Sequence, residues 1–347
     1  MDSTLNIVIQ QQTLLRIVLL SFAGFVISML LTPIYTTLAY KYKWWKRARA
    51  DATTGEVATV YKSLHGAKHR RNIPTMAGVI FVVATLATTL IWNLSRDETW
   101  LPLAAMAGAG LIGLFDDFLN IRSTGGVAGM RAKFKLSLIT AVALIGGWWF
   151  YSKLDVSSIH IPFIDTSFTL GWLIVPLFVI VVVSTANAVN ITDGLDGLAG
   201  GLSAIAFGTY AIIAFLQSRY GVAAFCMTVV GTLLSYTWFN IYPARFFMGD
   251  VGSFALGASL GVVAMITDTV MILPVIGLIF VVEAGSSAIQ ILSKKLRGGK
   301  KIFKIAPIHH HFEAIGWEET KVTMRFWIIG QVVAVIGLVI FIFGGVL

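Results

Sequence analysis

The sequence predicts an all-α integral membrane protein of about ten transmembrane helices with both termini on the outer side. Composition points there first: of 347 residues, 57% are hydrophobic and only 12% charged, with a mean hydropathy of +0.82. A soluble chain of this length carries about twice that charged fraction. Apolar runs near the length that crosses a hydrocarbon core, about 20 residues, recur along the whole chain. The third observation is that Lys and Arg concentrate in alternate loops.

The first span, 15–39, follows a polar start and Arg16 with no small-residue cleavage site, so it reads as a membrane span rather than a signal peptide. The next runs are 74–94, 101–115, 136–151, 170–187, 197–216 and 221–239. Runs at 254–267, 270–293 and 325–346 complete the ten, the third and eighth being short. Cys226, the lone cysteine, falls inside a span and excludes an internal disulfide. The whole chain, 1–347, reads as one membrane domain with no soluble domain appended.

Charge orients these spans. The loop after the first holds Lys41, Lys43, Lys46, Arg47, Arg49, Lys62, Lys68, Arg70 and Arg71. Arg122, Arg131, Lys133 and Lys135 follow the third span, Arg245 the seventh, and eight more Lys and Arg lie between 294 and 325. All 22 fall on one side, against Arg96, Lys153 and Arg219, with Arg16 at the other boundary. The positive-inside rule makes the basic side cytoplasmic. The net charge of +9 therefore reflects topology and attraction to anionic membrane lipid, and calls for no nucleic acid.

Three acidic motifs share that basic side. Gly113-Leu-Phe-Asp-Asp-Phe118 ends the third span with Asp116 and Asp117. Asn187-Ala-Val-Asn-Ile-Thr-Asp-Gly-Leu-Asp-Gly197 joins the fifth to the sixth, with Asp193 and Asp196 one helical turn apart. Phe247-Met-Gly-Asp-Val-Gly-Ser253 places Asp250 after the seventh. Alone, the 187–197 segment reads equally well as a helix cap, since Asn, Thr and Asp cap helices. Five aspartates on one membrane face favour a hard cation with oxygen ligands, and Mg²⁺ takes one or two carboxylates with room for phosphate oxygens. Adjacent Asp116 and Asp117 point differently on a helix, which suits separate roles. The glycines around Asp250 suit a tight turn whose backbone N–H groups approach an anion. Asp97, Glu98, Asp155, Asp165 and Asp268 fall on the outer side and read as solvated loop charges.

The last basic loop contains Lys304-Ile-Ala-Pro-Ile-His-His-His-Phe-Glu313. Consecutive histidines are poorly placed to share one tetrahedral zinc ion, and no cysteine accompanies them. Phosphate or sugar binding beside the aspartates is the better reading. Glu283, inside the ninth span, needs a protein partner or a polar cavity. Gln290 lies seven residues on, along the same helical face. Gly285, Ser286 and Ser287 read as close helix packing.

These motifs, with Ile73-Pro-Thr-Met-Ala-Gly78 and Arg325-Phe-Trp327, occur in one order along essentially the whole chain. Together they resemble the muramoyl-pentapeptide branch of the polyprenyl-phosphate N-acetylhexosamine-1-phosphate transferase superfamily. The aspartate motifs are common to the superfamily; the Ala-Pro-Ile lead into three histidines is particular to that branch. The resemblance implies ten helices, a periplasmic hairpin at about 155–169, an active site on the cytoplasmic face of the bacterial plasma membrane, and a homodimer. It implies transfer of phospho-MurNAc-pentapeptide from UDP-MurNAc-pentapeptide to undecaprenyl phosphate, with Mg²⁺, giving the lipid-linked product and UMP.

Carried over by motif position, the resemblance makes Asp250 the Mg²⁺ ligand and Asp116 and Asp117 catalytic acids near the lipid phosphate. Asn190, Asp193 and Asp196 match substrate-site residues, and Asn240, Phe247 and Gln290 the nucleotide pocket. His309, His310 and His311 match the site of the sugar and diphosphate, His309 among the catalytic groups; Lys133, Thr75 and Arg70 are further matches. Three positions depart from the family pattern: Arg70 and Asn120 stand where lysine is usual, and Ala77 where glycine is. Arg70 keeps its charge but changes donor geometry. Asn120 removes a cation near the phosphates, and Arg122 is the nearest residue that could stand in. A sister enzyme using UDP-GlcNAc would share every aspartate motif but not the histidine loop. A transporter would place its polar residues at the midplane rather than at one surface.

Overall fold

The computed structural model describes residues 2–45, 72–122, 129–164 and 166–345, and Arg70 lies outside them. The helices are α1 (Asp2–Lys41), α2 (Gly78–Trp92), α3 (Trp100–Arg122), α4 (Ala132–Lys153), α5 (Ile174–Thr192) and α6 (Leu198–Leu216). They continue as α7 (Tyr220–Asn240), α8 (Gly249–Ile266), the short α9 (Leu273–Ile276), α10 (Leu278–Leu296), α11 (Ile308–Ala314) and α12 (Glu319–Phe343). Two-residue strands β1 (Ser158–Ile159) and β2 (Phe168–Thr169) pair antiparallel, Ser158 opposite Thr169. The protein is an all-α integral membrane protein.

Among the described residues eight helices are long and apolar enough to cross a membrane. The other two expected spans differ for physical reasons. Helix α2 is apolar but only 15 residues long. The expected ninth span breaks at Gly277 into α9 and α10, and α10 carries Glu283, Lys294 and Lys295. Its amphipathicity is inverted: Glu283, Ser286, Gln290 and Ser293 are buried, while Val281, Ile289, Ile291, Leu292 and Leu296 are exposed. Apolar side chains turned outward belong against lipid, whereas a polar stripe turned inward needs protein partners.

Helix α8 is the centre of the bundle, with every residue from Val251 to Ile266 buried. It packs on α3 and α5, while α1 pairs with α7 and α6 with α7. Small residues on α8 let its neighbours approach closely, as membrane interfaces require. A hydrogen bond between the Thr85 and Thr232 hydroxyls at 3.0 Å ties α2 to α7. Exposed Leu144, Ile145 and Trp148 of α4 and Ile328, Val332 and Phe343 of α12 form outer apolar faces.

At the end of the bundle opposite the aspartate motifs, two carboxylates are structural rather than merely solvated. Glu98 accepts the N–H groups of Gly221 and Val222, capping the start of α7. Asp268 accepts the His160 backbone N–H at 3.0 Å, which pins the hairpin to the end of α8. Burial lifts its carboxyl above the usual range, while the His160 N–H and the charges of His160 and Arg219 pull it back.

Candidate active site

The acidic motifs meet where α3, α4, α5 and α8 end. Helix α3 runs past the expected boundary to Arg122, so Asp116, Asp117 and Asn120 occupy its last two turns and are buried. Helix α8 begins at Gly249, whose φ of +74° turns the chain so that Asp250 enters its first turn. A Cβ on Gly249 would strike the Asp117 carboxylate, and one on Gly113 would strike the Asp250 carbonyl. Glycine at these two positions is what allows α3 and α8 to bring their aspartates together.

Lys135 joins the two helices. Its ammonium lies 2.9 Å from Asp116 Oδ2 and 2.6 Å from Asp250 Oδ2, on a side chain only 20% exposed. Two carboxylates thus share one cation, an arrangement that offsets the repulsion between them. Asn120 donates to Asp116 Oδ2 at 3.2 Å and the Met130 backbone N–H donates to Oδ1. On the other flank Asn190 Nδ2 reaches Asp250 Oδ1 at 3.2 Å and Ser253 Oγ at 2.8 Å. Asp117, adjacent in sequence, faces a different way: its Oδ2 accepts the Val251 N–H at the start of α8. A carboxylate there is favoured by the partial positive charge of the helix N-terminus.

The lysine between the two carboxylates is Lys135, while the side chain of Lys133 is exposed. Arg122 does not join either; its guanidinium lies over the Phe118 ring, 4.3 Å from the centroid, at the exposed side of α3. The position opened by Asn120 is therefore served by an amide on Asp116 and by a lysine one helix away.

The 187–197 segment is the hub between this cluster and the histidines. Asp193 caps the end of α5, and Gly194 lies against the Nε2 edge of the His309 ring. Asp196 Oδ2 accepts the Ala244 N–H at 3.0 Å, and Glu319 of the last helix accepts the Asp196 N–H at 2.7 Å. Asn240 takes the Gly197 N–H and donates to the Phe246 carbonyl. These bonds hold the 241–248 loop to the start of α6. The half-buried Phe247 exchanges backbone hydrogen bonds with Pro74 and Ala77, so two motifs distant in sequence are stitched side by side. Thr75 is buried there, its carbonyl accepting the Tyr35 hydroxyl.

On α10 and α11, Gln290 holds Ile302 and Phe303 through three bonds to their backbone. Ser286, expected only to ease helix packing, accepts the Ile308 N–H at 3.0 Å and anchors the histidine helix. His309 pairs with Glu283 at 2.8 Å and His310 with Glu313 at 2.7 Å. His311 Nδ1 accepts the Lys304 N–H at 3.1 Å.

Sequence reasoning left out Lys135, Glu313 and Glu319 as site residues and gave Glu283 no partner. Lys135 left a signal as the second lysine of Arg131-Ala-Lys-Phe-Lys135, and Glu313 as the acid that closes the histidine motif. Around Asp250 the groups able to ligate are carboxylate, amide and hydroxyl oxygens of Asp, Asn and Ser, and Lys135 stands where a positive charge offsets both carboxylates. That set suits a hard cation. Among the described residues no three His, Cys, Asp or Glu side chains converge to hold an ion by themselves. An ion there would draw its remaining ligands from phosphate and water, as Mg²⁺ commonly does.

Comparison with known proteins agrees with this geometry. The family model described as "Glycosyl transferase family 4" matches residues 99–268, the stretch that carries Asp116, Lys135, Asn190 and Asp250. A phospho-N-acetylmuramoyl-pentapeptide-transferase from Chloroflexus aurantiacus is 38% identical over 341 residues, covering 94% of this chain and 90% of its own. Proteins of that same name from Bacillus subtilis and Bacillus licheniformis are 38% and 36% identical, each covering 91% of this chain and 95% of their own.

Proposed function

This chain belongs to the phospho-N-acetylmuramoyl-pentapeptide transferase family, and we propose that it transfers phospho-MurNAc-pentapeptide from UDP-MurNAc-pentapeptide to undecaprenyl phosphate in peptidoglycan synthesis. The observation that carries this reading is the Asp116–Lys135–Asp250 bridge joined through α5 to a histidine helix. It gathers anionic and cationic groups at one end of a membrane bundle, where a lipid phosphate and a water-soluble nucleotide sugar can meet. The enzyme works as a homodimer in the bacterial plasma membrane, with this end facing the cytoplasm, as the loop charges favour.

In the reaction an oxygen of the lipid phosphate attacks the β-phosphorus of the nucleotide sugar. A new P–O bond forms, the bond to the bridging oxygen breaks, and UMP leaves with that electron pair. Two polyanions must meet, so alignment and charge neutralisation supply most of the rate. Asp116 and Asp117 act at the lipid phosphate, and Lys135 donates to phosphate oxygens from between Asp116 and Asp250. Phe247 stacks on the uracil, and His309, His310 and His311 hold the sugar and diphosphate. Asp196, Asn240 and Gln290 shape the pocket through the backbone they hold. Asp250 would hold Mg²⁺, which when bound neutralises charge on the diphosphate.

The test supplies purified protein with undecaprenyl phosphate, Mg²⁺ and either radiolabelled UDP-MurNAc-pentapeptide or UDP-GlcNAc. Butanol-extractable label from the first alone is expected. Label from UDP-GlcNAc instead would assign the chain to the sister reaction.

A further inference from the structure

The three consecutive imidazoles are braced in two opposite ways. His309 Nδ1 lies 2.8 Å from Glu283 Oε2, and both side chains are fully buried. His310 repeats the pattern with Glu313 at 2.7 Å. An ionised carboxylate offers only lone pairs, so against one each of these Nδ1 atoms would carry the proton and donate it. His311 is reversed: its Nδ1 accepts the Lys304 N–H, so its own ring proton resides on Nε2.

His309 is also fixed on its far edge. Its Nε2 lies so close to Gly194 that a Cβ there would collide with it. Gly194 follows Asp193 and lies four residues after Asn190, whose amide contacts Asp250. The His310 ring packs edge-on, 4.1 Å away centroid to centroid. The brace itself is built into α10, because Ser286, one turn beyond Glu283, holds the first residue of the histidine helix. An ionised carboxylate removed from solvent is strongly disfavoured unless a hydrogen-bonded partner stands against it.

We propose that Glu283 is a positioning residue of the transfer reaction: it fixes His309 as the Nδ1–H tautomer and holds its Nε2 edge against the 190–196 segment, where the diphosphate of the nucleotide sugar is bound. This rests on the transferase reading above. Backed by a carboxylate, the imidazole accepts a proton on Nε2 more readily and then donates to phosphate oxygen. Glu313 braces His310 in the same sense, while His311, whose Nδ1 accepts the Lys304 N–H, presents its Nε2–H as a donor.

Nitrogen-15 spectra of the full chain in lipid nanodiscs, with labelled histidine, read the tautomers directly and need no variant. Nδ1–H signatures for His309 and His310 and an Nε2–H signature for His311 are expected. An Nε2–H tautomer at His309 overturns the proposal. Glu283→Gln keeps the volume and removes the charge. It should lower kcat about 10–100-fold, the usual effect of losing a carboxylate behind a functional histidine, with a smaller change in KM for the nucleotide sugar. The alkaline limb of its pH–rate profile should move to lower pH, because an imidazolium without its carboxylate loses its proton sooner. Glu283→Asp should recover part of the rate. A Glu283→Gln enzyme with wild-type turnover and a superimposable profile overturns the proposal. Absence of lipid-linked product from the unaltered protein would overturn the transferase reading itself, a result separate from the tautomer spectrum.

Discussion

The carboxylate half and the histidine half of the site are assembled by different means. Asp116, Lys135, Asn190 and Asp250 come from four helices, and the bridging lysine is 115 residues from Asp250. The histidine half lies within residues 283–313, each imidazole with its own partner. A shared cation makes the first half collective, so removing one member leaves the others badly paired. Separate braces make the second half modular. Disturbance should therefore spread through the carboxylates and stay local among the histidines.

The severest break is Asp250→Ala, which removes both the proposed metal ligand and one end of the bridge. Turnover should fall to background, since the loss of one well-aimed electrostatic group alone is worth about 10²–10³-fold. Near-normal rate at low Mg²⁺ would show that Asp250 holds no metal.

Lys135→Ala comes next, at about 10²-fold or more, and the neighbouring lysine is its control. Lys133→Ala, at an exposed position one turn-half away, should stay within about twofold, the scale of a surface charge. A kinetic double-mutant cycle of Lys135→Ala with Asp116→Asn should show coupling of about 0.5–3 kcal/mol, as partners in one network do. The same cycle between Glu283→Gln and Glu313→Gln should approach additivity. Equal coupling in both cycles would erase the distinction between the halves.

Asp117→Asn divides catalysis from architecture. The rate should drop at least about 10²-fold, the scale of an acid–base role. Thermal stability should fall as well, because an amide interacts less favourably than a carboxylate with the N-terminus of α8. Lost stability with unaltered turnover would mark Asp117 as a helix cap only.

Much of this arrangement is legible in the sequence. Helices that cross a membrane alternate direction, so the side on which each motif lies follows from counting spans and basic loops. The pairing of partners was not legible. Lys133 and Lys135 differ by two positions, about 200° around a helix, and choosing between them requires knowing that α4 begins at Ala132. Glu319 reaches Asp196 across 123 residues, and Glu283 reaches His309 across 26. Gln290 and Asn240 matched pocket residues, yet their amides are spent on backbone that no local pattern reveals. Glu98 and Asp268 looked like loose surface charges because the N–H groups they accept lie far along the chain or belong to another loop.

The smallest expected effect concerns Asn120, where the resemblance implies a lysine. If Arg122 replaced the cation absent at Asn120, its loss would resemble that of Lys135. The structure places it over Phe118 on the exposed side of α3, while Asn120 itself donates to Asp116 and Lys135 supplies the charge. Arg122→Ala should therefore change the transition-state free energy by only about 0–1 kcal/mol, as an exposed charge does. Asn120→Lys in the wild-type background should compete with Lys135 for Asp116, and in the Lys135→Ala background it should restore part of the rate. The rescue measures whether one ammonium at Asp116 is the requirement, whichever helix supplies it. A large loss in Arg122→Ala, or no rescue by Asn120→Lys, would return the missing charge to some other residue and break the view of Lys135 as the shared cation of the carboxylate half.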